Sequence, residues 1–211
     1  FSVSFGGNRS GHFGEVLEAE GTAMMFAGVP VQGAQVHYTV EYASTDFKRW
    51  WWDATTWNHM AEGDLVTDDE GKFRVPVMLT EEHQTMSLGM VRFRVKAAVT
   101  DMGGETHEAT WTVNASDREF GLDVTVKEVV DMAKDGTFKV DAYDINHEKV
   151  DVKGTYAIKN GQLVVAEGEF ASGSTIALPQ SLKLGAHYSV TVTAYETKGR
   201  KVEDTGWFTP Y

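Results

Sequence analysis

Histidine, serine and acidic side chains are the residues of this sequence that could carry hydrolytic or metal chemistry. None of the seven histidines has a second histidine at metal-ligand spacing: His12, His37, His59, His83, His107, His147 and His187. The Gly-x-Ser-x-Gly turn that presents a serine nucleophile is absent. A Ser–His–Asp triad stays open, because its members need not be adjacent in sequence. We expect no catalytic, metal-binding or cofactor-binding residue, and predict that the chain is not an enzyme.

Carboxylates are concentrated in short turns, of which Asp68-Asp69-Glu70-Gly71 is the most acidic. Such a cluster could ligate calcium through its oxygens, but it lacks the spaced carboxylates and the downstream glutamate of a calcium loop. Acidic residues before glycine are common in ordinary turns, because Asp accepts hydrogen bonds from nearby amides and Gly adopts positive φ. We therefore predict a turn here.

Tryptophan provides the candidate interaction surface, which comprises Trp50, Trp51, Trp52 and Trp57. Three consecutive tryptophans on an alternating strand cannot all face one core. Either they form an exposed aromatic platform for a sugar or a protein, or some fill the sandwich while others cover a neighbouring domain. We favour packing between domains, or against a neighbour outside this chain, over sugar binding. Trp111 and Trp207 stand alone in strand-like segments and are predicted to lie in the core.

The elements that must position these residues are almost all strands. Apolar residues alternate with polar ones in many short segments, and this period of two indicates strands with one buried face. Pro76 lies within one such segment, which places that strand at an edge or at its end. Asn160-Gly161 is a strong signal for a two-residue hairpin. From Thr80 to Gly89 we expect a loop with at most one helical turn.

Two segments of the sequence resemble each other. Ala61-Glu62-Gly63-Asp64-Leu65 is matched by Ala166-Glu167-Gly168-Glu169-Phe170, about one hundred residues later. A repeat of that length is typical of whole domains in tandem. The pattern predicts an all-β protein of two tandem immunoglobulin-like or fibronectin-III-like sandwiches, at residues 1–115 and 116–211.

The composition of the chain argues against several classes of partner and of chemical group. The 211 residues carry a formal net charge of −12, which argues against a nucleic-acid partner, since phosphate binding needs clustered Lys and Arg. Cysteine is absent, which excludes disulfides, thiolate metal sites and a cysteine-derived thioester within this chain. No stretch is apolar enough to be predicted as a transmembrane segment or a signal peptide. Because the chain begins with Phe1, we expect it to be part of a longer protein.

Three sequence blocks together resemble one family. They are Gly28-Val29-Pro30-Val31-Gln32-Gly33-Ala34-Gln35-Val36-His37-Tyr38-Thr39-Val40, the run Trp50–Trp52, and Thr67-Asp68-Asp69-Glu70-Gly71-Lys72-Phe73. The sequence is similar to the macroglobulin-like domains of bacterial alpha-2-macroglobulin family proteins, especially those of Bacteroidetes type. The resemblance covers most of residues 16–113, and residues 118–211 fit a second such domain more weakly.

The resemblance implies a function for the parent protein. Members of the family are associated with trapping or inhibiting proteases, through a bait segment and often a thioester of the motif Cys-Gly-Glu-Gln. That motif is absent here, and the sequence shows no long bait loop unless Thr80–Gly89 serves as one, so only a non-catalytic scaffold role carries over. The implied partners are neighbouring domains of a longer parent chain and, through that chain, a protease. The implied location is exported, either periplasmic or at the cell surface. A secreted carbohydrate-binding or adhesion module that uses Trp50–Trp57 is the alternative.

Overall fold

The computed structural model describes residues 1–7, 10–45, 47, 56–83 and 89–211, and within them the fold is all-β. The strands are β1 Ser2–Gly6, β2 Ser10–Gly11, β3 Val16–Met24, β4 Gln35–Thr45, β5 Asn58–Val66, β6 Lys72–Met78, β7 Met90–Thr100, β8 Thr106–Ala115, β9 Gly121–Thr125, β10 Val129–Val130, β11 Thr137–Tyr143, β12 Lys153–Asn160, β13 Leu163–Ala171, β14 Thr175–Ala177, β15 Tyr188–Tyr195 and β16 Lys201–Pro210. A 3-10 turn, Glu81–His83, follows β6. Within the described residues, no helix has the length and apolar composition that crossing a membrane requires.

The chain divides into two compact units. Unit 1 contains the described residues up to Asp117 except Phe47, and unit 2 contains Phe47 and Arg118–Tyr211. Each unit has one three-stranded and one five-stranded sheet, with a hydrophobic core between them. The prediction of an all-β chain with two tandem immunoglobulin-like sandwiches is confirmed.

The two units have the same strand order. In unit 1 the sheets run β1-β3-β6 and β2-β8-β7-β4-β5, and in unit 2 they run β9-β11-β14 and β10-β16-β15-β12-β13. Neighbouring strands are antiparallel, except that the short strands β2 and β10 pair in parallel with β8 and β16. The sequence repeat therefore reflects one topology used twice.

Alternation along the strands explains how each core forms. In β6, Phe73, Val75 and Val77 are buried, while the residues between them face solvent or are half-buried. The opposing sheet of unit 1 contributes Val36, Val40 and further residues of β4, β7 and β8 to the same core. Burial of a side chain of this size contributes about 1.5–3 kcal/mol. β6 is an edge strand, as Pro76 predicted, because proline has no amide hydrogen for a second neighbour.

In unit 1, the crossing from β3 to β4 and the crossing from β5 to β6 are bonded to each other through Thr67. Its hydroxyl donates to the carbonyl of Val31 at 2.7 Å and accepts the amide of Ala34 at 2.9 Å. The backbone of Thr67 adds bonds to Gly33 and Ala34. The link between β3 and β4 and the link between β5 and β6 are therefore one hydrogen-bonded block. Thr67 is buried, with 4% of its surface exposed.

Gly71 completes this block because no larger residue fits there. Its φ is +74°, and a Cβ atom would lie 2.3 Å from the carbonyl oxygen of Ala23. The carbonyl of Gly71 accepts the amide of Ala23 at 2.8 Å. The glycine thus permits both the left-handed turn after Asp68 and the close approach to β3.

The repeated sequence motif corresponds to a cross-strand pair of tyrosine and glycine. Tyr38 pairs with Gly63 in unit 1, and Tyr156 pairs with Gly168 in unit 2. In both pairs the phenol ring lies over the glycine, with its nearest atom 2.6–2.7 Å from where a Cβ would stand. The ring covers backbone that glycine leaves uncovered, which also fixes the register of the two strands.

A β-bulge lies immediately before this motif in both units. Met60 is skipped in the pairing of β4 with β5, and Val165 is skipped in the pairing of β12 with β13. β5 and β13 are edge strands of their sheets. A bulge leaves one residue unpaired and increases the local twist of the strand.

The two isolated tryptophans differ in burial. Trp111 is 7% exposed and belongs to the core of unit 1, as predicted. The prediction for Trp207 was wrong: it lies in β16 with 69% of its surface exposed. Its neighbour Phe208 takes the inward position instead, because successive side chains of a strand point to opposite faces. The helical turn expected after Thr80 is present as the 3-10 turn Glu81–His83.

We predict that Thr67→Val lowers the free energy of unfolding of unit 1 by about 2 kcal/mol, because the amide of Ala34 and the carbonyl of Val31 lose a buried partner. The control Thr67→Ser keeps the hydroxyl and loses one methyl group, so it should cost about 1 kcal/mol or less. Urea denaturation followed by circular dichroism measures both values. Equal stability of the two variants would show that the hydroxyl does not join the crossings.

Candidate interaction surface

The candidate surface is described through Trp57 alone, because Trp50, Trp51 and Trp52 lie outside the described residues. Trp57 stands immediately before β5 and is half-buried. The predicted four-tryptophan surface therefore stays a prediction.

Trp57 holds a cation on its ring. The guanidinium carbon of Arg94 lies 4.0 Å from the centre of the ring, within the range of a cation–π contact. Such contacts contribute about 0.5–1 kcal/mol at exposed sites and more where water is excluded. One side of the indole is thus occupied by a residue of the same unit.

A carboxylate between β4 and β7 holds Arg94 in this position. Nη2 of Arg94 donates to Oε2 of Glu41 at 2.8 Å, and Nζ of Lys96 lies 3.7 Å from Oε1 of the same carboxylate. The side chains of Arg94 and Glu41 are only 23% and 17% exposed. A charge-assisted hydrogen bond between two largely buried side chains is stronger than an ion pair on the open surface. We call Glu41, Trp57, Arg94 and Lys96 the Trp57 cluster.

Strand register brings the cluster together. Glu41 of β4 is directly opposite Arg94 of β7, and both point away from the core because Val40 and Val95 point into it. Lys96 lies two residues further along β7, on the same face. Trp57 precedes the first residue of β5, the strand on the other side of β4. The cluster therefore occupies the outer face of the five-stranded sheet.

Two of the four side chains of the cluster are of types favoured at the centres of protein interfaces, namely tryptophan and arginine. No nucleophile paired with a base is found among its four side chains. The arrangement can bind and orient a partner.

The acidic turns have the geometry predicted from their sequence. Oδ1 of Asp68 accepts the amides of Glu70 and Lys72, both at 2.9 Å. The bond from the Lys72 amide is the main cause that holds the pKa of Asp68 below its usual value. Two other turns contain the same pair of bonds: Asp101 with Gly103 and Glu105, and Asp144 with Asn146 and Glu148. In each turn, one carboxylate oxygen accepts hydrogen bonds from two backbone amides.

The histidines with described side chains stand in separate surroundings. His37 contacts Asp64, with Nδ1 and Oδ1 3.0 Å apart, and His107 contacts Glu105 and the ring of Phe1. Within the described residues, no three His, Asp or Glu side chains are grouped as the ligands of a metal ion would be.

Sequence reasoning identified Trp57 but missed Glu41, Arg94 and Lys96. Alternation alone assigns all three to a solvent-facing side of their strands. The missing information is that β4 pairs with β7, which lies about fifty residues away and is separated from it by β5 and β6. Opposite charges at Glu41 and Arg94 would have been a usable signal for that pairing.

Solved structures share this fold. The crystal structure of trypsin-activated alpha-2-macroglobulin from Escherichia coli matches 99% of the chain with a TM-score of 0.58 and 13% identity. The structure of Escherichia coli alpha-2-macroglobulin activated by porcine elastase matches 99% of the chain with a TM-score of 0.52 and 11% identity. At these identities the likeness establishes a macroglobulin-like fold, in agreement with the resemblance found in the sequence.

The matched region is a small part of those proteins. The chain spans 16% of the length of the first structure and 22% of the second. No family model matches the sequence, and a comparison with curated proteins also finds no match.

We predict that Glu41→Gln lowers the free energy of unfolding by about 1.5 kcal/mol, because Arg94 and Lys96 lose the partly buried carboxylate that they share. The matched control is Asp64→Asn, which removes one carboxylate from the exposed pair with His37 and should cost about 0.5 kcal/mol or less. Urea denaturation gives both values. If the two substitutions cost the same, the cluster is no more than surface charge.

Proposed function

We propose that this chain is a pair of non-catalytic scaffold domains, residues 1–115 and 116–211, within a larger protein of the alpha-2-macroglobulin type. The observation that carries the proposal is the match of the whole tandem, 99% of the chain, to a segment that makes up 16% of an alpha-2-macroglobulin. A tandem that matches so small a segment is suited to being one section of a longer array. The partners are then the neighbouring domains of the parent chain.

The parent protein is proposed to be exported, to the periplasm or the cell surface, and to belong to a protease-inhibitor or protease-trap family of Bacteroidetes type. The sequence blocks at Gly28–Val40 and Thr67–Phe73 support this assignment. Their residues form the bonded crossings of unit 1, so the resemblance rests on positions that determine the fold. Any engagement of a protease belongs to other parts of the parent.

Within this role, the surface formed by Trp50, Trp51, Trp52 and Trp57 contacts a neighbouring domain. The Trp57 cluster supports this role, because Arg94 holds the ring in place on one side while the indole stays only half-buried, which leaves part of it for a partner. Large aromatic surfaces left in water promote aggregation, so a covering partner is needed.

The scaffold role predicts that the chain alone has no effect on proteases. Trypsin or elastase incubated with an excess of the chain should cleave a protein substrate at an unchanged rate, because the chain lacks the Cys-Gly-Glu-Gln thioester motif and acts only as scaffold in this proposal. The rate of casein cleavage with and without the chain measures this. A dose-dependent loss of cleavage, with bovine serum albumin as the inert control protein, would contradict the scaffold role.

The carbohydrate-binding alternative is tested on the same tryptophans. Under the scaffold role, titration with oligosaccharides should give no saturable change in tryptophan fluorescence. A saturable change that vanishes in Trp51→Ala and Trp57→Ala, and persists in the exposed-tryptophan control Trp207→Ala, would establish the alternative instead. Circular dichroism of each variant checks that the fold is retained.

A further inference from the structure

Unit 2 has a groove on the outer face of its five-stranded sheet. Its volume is about 510 Å³, within the range of ligand sites in proteins. Its floor consists of short side chains from the two central strands β12 and β15: Thr155, Ala157, Thr191 and Thr193. Its walls are carboxylates from the flanking strands, Glu167 and Glu169 on β13 and Glu203 on β16, with Lys159 also in contact.

In unit 1, long side chains of the unit itself cover the corresponding outer face of the five-stranded sheet. The Tyr38–Gly63 and Tyr156–Gly168 pairs put the two sheets in one register, so their positions can be matched. Lys96 of unit 1 corresponds to Thr191 of unit 2, and Arg94 corresponds to Ser189. Two long cationic side chains thus cover the sheet of unit 1, and the sheet of unit 2 has two short hydroxyl side chains instead.

The carboxylates of the wall occur in both units. Glu62 and Asp64 of unit 1 correspond to Glu167 and Glu169 of unit 2. In unit 1 both lie near the imidazole of His37, at 3.9 and 3.0 Å, and His37 corresponds to Thr155. Among the residues that the structure describes, no cation lies within ion-pair distance of Glu167 or Glu169. Two cations do lie on this face of unit 2: Lys201 is 3.2 Å from Glu203, and Lys159 stands where unit 1 has Glu41. The carboxylates that lack the cation found beside them in unit 1 are Glu167 and Glu169.

We propose that the groove of unit 2 binds a polypeptide segment that carries lysine or arginine side chains. The short floor leaves room for a chain, and the threonine hydroxyls both donate and accept hydrogen bonds. Glu167 and Glu169 provide charge-assisted acceptors for an ammonium or a guanidinium group. The inference does not depend on the scaffold role.

The binding test uses the whole chain and a fluorescein-labelled peptide in which arginine and threonine alternate. We expect saturable binding in fluorescence anisotropy, weakened as salt is added because the contacts are electrostatic. A peptide in which glutamate replaces arginine should not bind.

Two double variants with the same change in charge separate the groove from the general acidity of the chain. Glu167→Gln with Glu169→Gln should weaken binding about fivefold, because two charge contacts are lost. Glu62→Gln with Asp64→Asn removes the corresponding carboxylates of unit 1 and should change the dissociation constant less than about twofold. Thr191→Lys places the lysine of unit 1 on the floor of the groove and should abolish binding. Thermal unfolding confirms that each variant is folded.

Three results would overturn the proposal. The first is the absence of saturable binding by the basic peptide. The second is equal weakening by the two carboxylate double variants, which would mean that the peptide responds only to net charge. The third is displacement of the peptide by a neutral oligosaccharide with loss of oligosaccharide binding in Glu167→Gln with Glu169→Gln, which would make the groove a sugar site.

Discussion

The hydroxyl of Thr67 joins two of the crossings between the sheets of unit 1. A sandwich needs its chain to leave one sheet and enter the other, and each crossing exposes backbone groups that no strand can satisfy. Thr67 solves this for two crossings at once, because one hydroxyl donates to Val31 and accepts from Ala34. Gly71 then lets the following turn approach Ala23. Two of the sequence blocks that suggested a family, Gly28–Val40 and Thr67–Phe73, therefore have a structural role.

The crossings and the tyrosine–glycine pair do not involve the side chains on the outer faces of the sheets, so those side chains can differ between the units. Units 1 and 2 share strand order, register and the position of the edge bulge. Their outer faces nevertheless differ in character: Arg94 and Lys96 cover one, and Ser189 and Thr191 leave the other open. One framework thus supports a closed face and an open face without any change of topology, which is how binding sites are commonly added to a common fold.

Much of this fold could be predicted from the sequence, because it depends on local patterns. Alternation located the strands, Pro76 marked an edge, and the repeat of Ala61–Leu65 indicated two domains of one kind. Burial of Trp207 was predicted wrongly, since a lone aromatic residue in a strand has no pattern that tells its inward from its outward face. The partners of Trp57 were missed for a different reason. They come from β4 and β7, and pairing between strands so far apart depends on the whole sandwich.

The bulges at Met60 and Val165 have a consequence for how such a chain is made. Similar domains in one polypeptide can exchange strands before each domain has folded. The exposed edge of a sheet is where a strand of the wrong domain would pair. β5 and β13 each contain one unpaired residue. This residue interrupts the regular spacing of backbone amides and carbonyls that an incoming strand would need for hydrogen bonds. Because the bulge recurs at the same place in both units, each of them has an edge that is poorly suited to accept a strand from the other.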